Sequence, residues 1–161
     1  MTPRTAQEIR PARTAREREA ALALRHRVFC EEQGVAPDLE ADPRDGEALH
    51  LVAMRDEAVV GTCRVVFDGP AAKLGRMAVE RAERGQGLGA ALLDVAIRAA
   101  RQAGAERVAL NAQTAVVAFY ARAGFATRGE LFEEAGIEHV RMDLVLGDAG
   151  SEPPDGNGPR A

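Results

Sequence analysis

The segment Arg84-Gly85-Gln86-Gly87-Leu88-Gly89 lies between an apolar extended run that ends at Val79 and a long amphipathic helical run. That junction constrains the fold more than any other feature of the chain. Alternating glycines let the main chain come close to a ligand, and unpaired N–H groups at a helix start favour an anion such as a pyrophosphate. Arg84 adds a charge-assisted contact. The same residues, continued to Ala90, also match the dinucleotide pattern G-x-G-x-x-G/A. That pattern belongs after the first strand of a parallel βαβ unit, with an acidic residue about 20 positions later. Here three extended segments joined by tight turns come first, and the strand after the helix ends at Asn111. With 161 residues the chain is short for two mononucleotide-binding halves. The nicotinamide reading fails on context.

The segments around the loop can be read from their periods. Thr14-Ala15-Arg16-Glu17 fits a capping box, in which the Thr hydroxyl and the Glu carboxylate each satisfy a free backbone N–H of the other. Ala21, Leu24 and Val28 then recur at helical spacing, which predicts a helix over 15–30 with Arg16, Glu17 and Arg25 left to solvent. Residues 31–47, broken by Pro37, Pro43 and Gly46, read as a loop or short second helix. Extended segments at 49–54, 59–67 and 72–79 read as an antiparallel meander. A helix over 87–103 follows, with Leu93, Ala96, Ile97 and Ala100 as its apolar stripe and Gly104 as its left-handed cap. Then come a strand at 107–111, a helix at 115–123 capped by Thr114, and closing strands at 125–131 and 140–146. The expected architecture is a mixed sheet with helices on both sides, in one domain over 1–146. Residues 147–161 carry Gly, Pro, Asp and Asn without apolar period and are expected to be a disordered tail.

Composition excludes several classes. Acids outnumber bases 25 to 21, so a basic face for nucleic acid is not expected. No apolar run reaches the ~18–20 residues that a bilayer span needs, and the Arg-rich start lacks the apolar core of a secretory signal. Cys30 and Cys63 sit far apart in apolar settings and form no metal-ligand pattern, so two free thiols and no metal are expected. The chain reads as cytoplasmic.

Several motifs together resemble one family. Residues 74–79 followed by Arg84-x-x-Gly87-x-Gly89 look like the pyrophosphate motif (Q/R-x-x-G-x-G/A) of the GNAT superfamily of N-acetyltransferases. Asn111 and Ala118-Phe119-Tyr120-Ala121-Arg122-Ala123-Gly124-Phe125 resemble that superfamily's next motif, strand-Asn and then F-Y-x-x-x-G-F. Arg25-His26-Arg27-Val28-Phe29-Cys30-Glu31-Glu32-Gln33-Gly34-Val35 is similar to a bacterial subgroup of uncharacterised members, as are Asp42, Asp45, His50 and the late Glu133, Gly136-Ile137-Glu138-His139 and Met142. The resemblance runs from about residue 15 to 146. It implies the acyl-CoA N-acyltransferase fold, an α/β (α+β) domain with a mixed, mostly antiparallel twisted sheet. About six to seven strands and about four helices are expected.

The resemblance also implies the chemistry: transfer of an acetyl group from acetyl-CoA to the primary amine of a small molecule. Met77, Ala78 and Val79 are expected to offer backbone groups to pantetheine, one of which polarises the thioester carbonyl. Arg84, Gly85, Gln86, Gly87, Leu88, Gly89 and Ala90 are expected to hold the pyrophosphate, with Asn111, Phe119 and Tyr120 completing the coenzyme site. Tyr120, the only tyrosine, is the expected general acid toward the departing thiolate. The base is open among Glu31, Glu32, His50, Glu133, His139 and ordered water, with Glu133 and His139 favoured because the last hairpin borders the acceptor pocket in this superfamily. The same five side chains are the candidate acceptor contacts. Between Glu31 and Glu47 there are seven acids against one base, Arg44, and the last hairpin adds Glu130, Glu133, Glu134 and Glu138. Clustered carboxylates concentrate cations, so a cationic small amine is the expected acceptor. A protein or peptide acceptor, or a non-catalytic acyl-CoA-binding module, are the alternatives, and a homodimer is compatible with either.

Overall fold

The computed structural model describes residues 8–147; the expected tail at 147–161 lies outside them apart from Gly147. One seven-stranded sheet runs in the order β1-β2-β3-β4-β5-β7-β6. Its strands are β1 (Glu8–Pro11), β2 (Leu49–Arg55), β3 (Ala58–Asp68), β4 (Ala71–Val79), β5 (Arg107–Gln113), β6 (Ala126–Glu134) and β7 (Ile137–Val145). All neighbours are antiparallel except β4 and β5. β1 is an addition to the sequence reading. It is short and pairs along one edge only, with Pro11, which has no N–H to give, at its end.

Helix α1 (Ala15–Arg25) covers one face of the sheet and α3 (Leu88–Gln102) the other. Period-two alternation serves both faces. Leu51 and Ala53 of β2 pack with Leu92, Leu93 and Ala96 of α3, whereas Val52 and Met54 pack with Ala21 and Leu24 of α1. Fully buried leucines such as Leu51 and Leu92 are each worth roughly 1.5–3 kcal/mol. Gly104, at φ +85°, ends α3 as expected.

Three local details differ from the sequence reading. Thr14 caps α1 by accepting from Glu17 N–H at 3.0 Å, but Glu17 turns to Arg13 N–H at 2.7 Å and Arg10 Nη1 at 2.8 Å, so the capping box is not reciprocal. The α-helix stops at Arg25, and His26–Glu32 continues as a wider π-helical turn. Arg25 is not solvent-facing: it is 1% exposed, covered by the short helix α2 (Pro37–Glu40) and the 3-10 turn Pro43–Gly46.

The segments that follow β5 also depart from expectation. Thr114 starts a 3-10 turn ahead of the short helix α4 (Val117–Ala121), and its hydroxyl donates to Glu138 (3.2 Å) instead of capping the helix. The closing hairpin is longer than expected. Ala135 and Gly136, at φ +54° and +78°, form a two-residue turn that lets β6 run to Glu134 and β7 start at Ile137.

β4 and β5 pair over three positions only, Ala71 with Arg107, Ala72 with Val108 and Lys73 with Ala109. Beyond these they part. A bulge bends β4 there: Thr62 faces Ala78 and Arg64 faces Gly75, so Arg76 and Met77 share the place opposite Cys63. Arg76 sits at φ +53°, a left-handed conformation that a side chain adopts at a cost.

Candidate active site

The parted strands open a cavity of about 930 Å³, at the upper end of what small-molecule sites occupy. On the side facing the gap, the backbone of β4 after Lys73 and of β5 after Ala109 has no strand partner among the described residues. Those amide groups are available to an extended ligand that inserts as a strand would.

The glycine loop borders this cavity through Arg84 and Gly85. Gly85 and Gly87 have φ +82° and +85°, so the loop needs glycine there for the backbone alone. The first bond into α3 is Ala91 N–H to Gly87 C=O at 3.0 Å, which leaves the N–H groups of Leu88, Gly89 and Ala90 without an acceptor one turn back. A Cβ on Gly89 would contact Phe119 and the Met77 sulfur at 3.5–3.8 Å, so the helix start, β4 and α4 meet at that point. The loop suits an anion. Arg84 is held by Glu32 at 2.9 Å and donates from Nε to the Val79 carbonyl at 2.9 Å.

The expected site residues divide by placement. Met77, Val79, Arg84, Gly85, Asn111, Phe119, Tyr120 and His139 line the cavity together. Ala78 points to the opposite sheet face among the α1 contacts, so only its backbone is on offer. Leu88 is buried in the core, while Gln86, Gly87 and Ala90 lie exposed along the loop and helix start. Four candidates for base or acceptor contact lie off the cavity wall. Glu31 is exposed 3.5 Å from His26 Nδ1, and Glu32 pairs with Arg84. His50 is buried with Nε2 against the Asp45 carbonyl at 2.9 Å. Glu133 stands across from Glu138 on the hairpin and borders a separate hollow with Leu131 and Phe132. The longer hairpin is the cause: it turns Glu134 toward the cavity and Glu133, its neighbour along the strand, away.

Two titratable side chains in the cavity have definite chemistry. Burial, with a smaller contribution from Cys63, pushes the Tyr120 phenol up to about 12, so it carries its proton throughout the physiological range. Its ring stands edge-on to Phe119 (4.9 Å between centroids) and Phe125 (5.8 Å), which fixes its direction. His139 is buried and stacked on Phe132, and its Nδ1 lies 2.7 Å from the Ile137 carbonyl. A carbonyl only accepts, so Nδ1 holds the hydrogen and Nε2 of the neutral ring keeps its lone pair. Asn111 donates to Glu134 Oε1 at 3.3 Å, and Gln113 donates to Gln33 Oε1 at 2.9 Å, tying β5 to the π-helical turn.

The sequence reading did not include Arg64, Arg76, Glu40, Asp42, Gln33 and Gln113 in this wall. One signal was available for Arg76. Gly75-Arg76 interrupts the apolar run of β4, and an interruption of that kind marks a bulge. The acids of 37–47 also differ from expectation. Glu40 and Asp45 bind Arg25 at 2.5 and 2.9 Å, and Asp42 and Asp45 bind Arg64 at 3.0 and 2.8 Å. Carboxylates bound in this way are neutralised and do not form a field that draws cations.

Residues 12–146 match the family model described as "Acetyltransferase (GNAT) domain". The chain is 33% identical over 132 residues to the uncharacterised N-acetyltransferase YjcF of Bacillus subtilis (strain 168), a match covering 81% of this chain and 94% of that one. It is 30% identical over 128 residues to the protein ElaA of Escherichia coli (strain K12), covering 76% and 84%. Among solved structures, an acyl-CoA N-acyltransferase from Pseudomonas aeruginosa superposes with a TM-score of 0.77 at 32% identity, over 87% of this chain and 99% of that one. A cavity between parted strands, a glycine loop at a helix start and these matches lead to one conclusion: the chain belongs to the GNAT family and is an acyl-CoA-dependent N-acetyltransferase.

Proposed function

We propose that the chain acetylates the primary amine of a small molecule, with Tyr120 as general acid and His139 as general base. Bound acetyl-CoA supplies the acyl group as an activated thioester. The helix-start N–H groups of Leu88, Gly89 and Ala90, in the same loop as Arg84, suit its pyrophosphate. The backbone of Met77, on the side of β4 that has no β5 partner beyond Lys73, suits the pantetheine amides. In the reaction a C–N bond forms and the C–S bond breaks; the ammonium loses one proton before it attacks, the departing thiolate gains a second from an acid, and the tetrahedral adduct loses a third that restores that acid, so one proton in all is released. Nε2 of His139 is the group free to take the first proton, and the Tyr120 hydroxyl is the group that stays protonated to give the second. The same dry surroundings that raise the phenol also raise the proton affinity of a thiolate, so the transfer does not become uphill by the full shift.

The observation that carries this reading is the shared cavity, in which the glycine loop, Tyr120 and His139 line one space. The Gln113–Gln33 bond across it favours a small acceptor over a polypeptide, which needs an open groove. Two free thiols suit a reducing cytoplasm.

The test is transfer from acetyl-CoA to a panel of amines, read as released thiol. Tyr120→Phe is expected to lower kcat by ~100- to 10,000-fold with acetyl-CoA affinity little changed. Wild-type turnover in that variant would mean that the ring only packs.

A further inference from the structure

Arg64, Arg76, Glu40 and Asp42 line one wall of the cavity, with Arg25 and Asp45 behind them, and the charges of the six balance in number but not in contact. Arg25 is saturated: Nε binds Glu40 Oε2 at 2.5 Å, Nη1 and Nη2 bind the two Asp45 oxygens at 2.9 and 3.0 Å, and Nη2 also reaches the Glu40 carbonyl at 3.2 Å. Arg64 Nη1 takes Asp42 and Asp45 at 3.0 and 2.8 Å, while its buried Nε has no partner among the described residues. The three carboxylates are therefore engaged by the first two arginines. Arg76 is left with one hydrogen bond, from Nε to the Glu40 carbonyl at 3.2 Å, and with carboxylate oxygens no nearer than 3.6 Å (Glu40) and 3.8 Å (Asp42). Its terminal nitrogens carry four N–H donors with no hydrogen-bond acceptor among the described residues.

Burial, and after it the charges of Arg64 and Arg25, pull the Arg76 guanidinium below the ordinary arginine range. A half-buried cation in that position gains from an arriving anion. The bulge holds it there at φ +53°, next to Met77 in the gap between β4 and β5. An unsatisfied planar fork lining a substrate cavity matches a carboxylate or a related planar anion.

We infer that the amine acceptor carries an anionic group, a carboxylate being the best fit, and that Arg76 is the residue that binds it. This rests on the acyltransferase reading above and specifies its acceptor. It departs from the cationic acceptor suggested by charge counts: of the carboxylates behind that suggestion, Glu40, Asp42 and Asp45 are bound to Arg25 and Arg64, and of the hairpin acids only Glu134 borders the cavity.

The test uses the full chain with acetyl-CoA and three matched series of amines: ω-amino acids of two to six carbons, their amides, and the diamines of equal length. Varying length covers the spacing between the amine and the anion site. The expected result is a KM at least ~10-fold lower for the best amino acid than for its amide, the scale of one charge-assisted hydrogen bond. Arg76→Gln is expected to erase that ratio by raising KM for the amino acid only, and Arg76→Lys to restore part of it. Gln and Lys face the same left-handed backbone as Arg, so neither adds strain at that position. A purely structural Arg76 would change stability or every KM together and leave the ratio alone. Amides or diamines acetylated as well as the amino acids would overturn the inference and leave the acyltransferase reading standing. No acetyl-CoA binding by calorimetry, or no transfer to any of the amines, would overturn both.

Discussion

Two segments of this chain look alike in sequence, since both are acidic, but the fold treats them in opposite ways. In residues 37–47, Glu40 and Asp45 close on Arg25, Asp42 on Arg64, and Glu47 on Arg44. In the closing hairpin, Glu130, Glu133, Glu134 and Glu138 stay exposed and form no ion pair among the described residues. Glu134 accepts from Asn111, and Glu138 from Thr114. The hairpin's own arginines, Arg128 and Arg141, turn to Asp143. Counting charges along a chain therefore measures composition. Whether a carboxylate is free to act on a ligand depends on which arginine from a distant element reaches it.

The largest expected effect breaks the first region. Arg25→Ala leaves Glu40 and Asp45 without their main partner in a covered site, which typically costs ~3–5 kcal/mol. Urea unfolding should show that loss with an unchanged slope; a cost below ~1 kcal/mol would mean that water already solvates these acids. The same cluster sets an acid dependence. Although burial alone raises a carboxyl pKa, the bonds from Arg25 and Arg64 hold Asp45 at about 2. Between the usual carboxyl value and that one, the unfolded chain binds more protons than the folded one. The contribution of Asp45 is therefore complete above pH ~4 and fades as pH falls toward 2. Asp45→Asn should remove that part of the acid slope along with stability at neutral pH.

The next effect belongs to the hairpin but not to its acids. His139→Gln keeps a polar side chain and removes the free imidazole nitrogen, so kcat should fall ~100-fold or more, while KM for acetyl-CoA stays within about twofold. Turnover equal to wild type would assign the base role to water.

The smallest effect sharpens the contrast. Glu133→Gln changes an exposed carboxylate outside the cavity and should shift stability by no more than ~0.5 kcal/mol, with turnover unchanged. A clear drop in turnover would return Glu133 to the site and show that the hairpin turns when substrate binds.

The sequence by itself determined what depends on neighbours along the chain. The alternating period of β2 to β4, the 3.6-residue period of α1 and α3, the left-handed glycines at 85, 87 and 104, and the motif around Tyr120 are all local and therefore legible. The family followed from those patterns, and so did the part of the cavity wall made by Met77, Val79, Arg84, Gly85, Asn111, Phe119, Tyr120 and His139. Tertiary structure alone decided the rest. Arg25 reads as a solvent residue on a helix until α2 and the following turn cover it. The gap between β4 and β5 exists because pairing stops after Lys73 and Ala109, and the bulge at Arg76 turns an interruption in an apolar strand into a cation in a cavity. His139 and Glu133 were equal candidates on paper, and a two-residue turn at Ala135-Gly136 separated them. Each of these outcomes rests on contacts between residues far apart in sequence, where local propensity carries no information about which partner arrives.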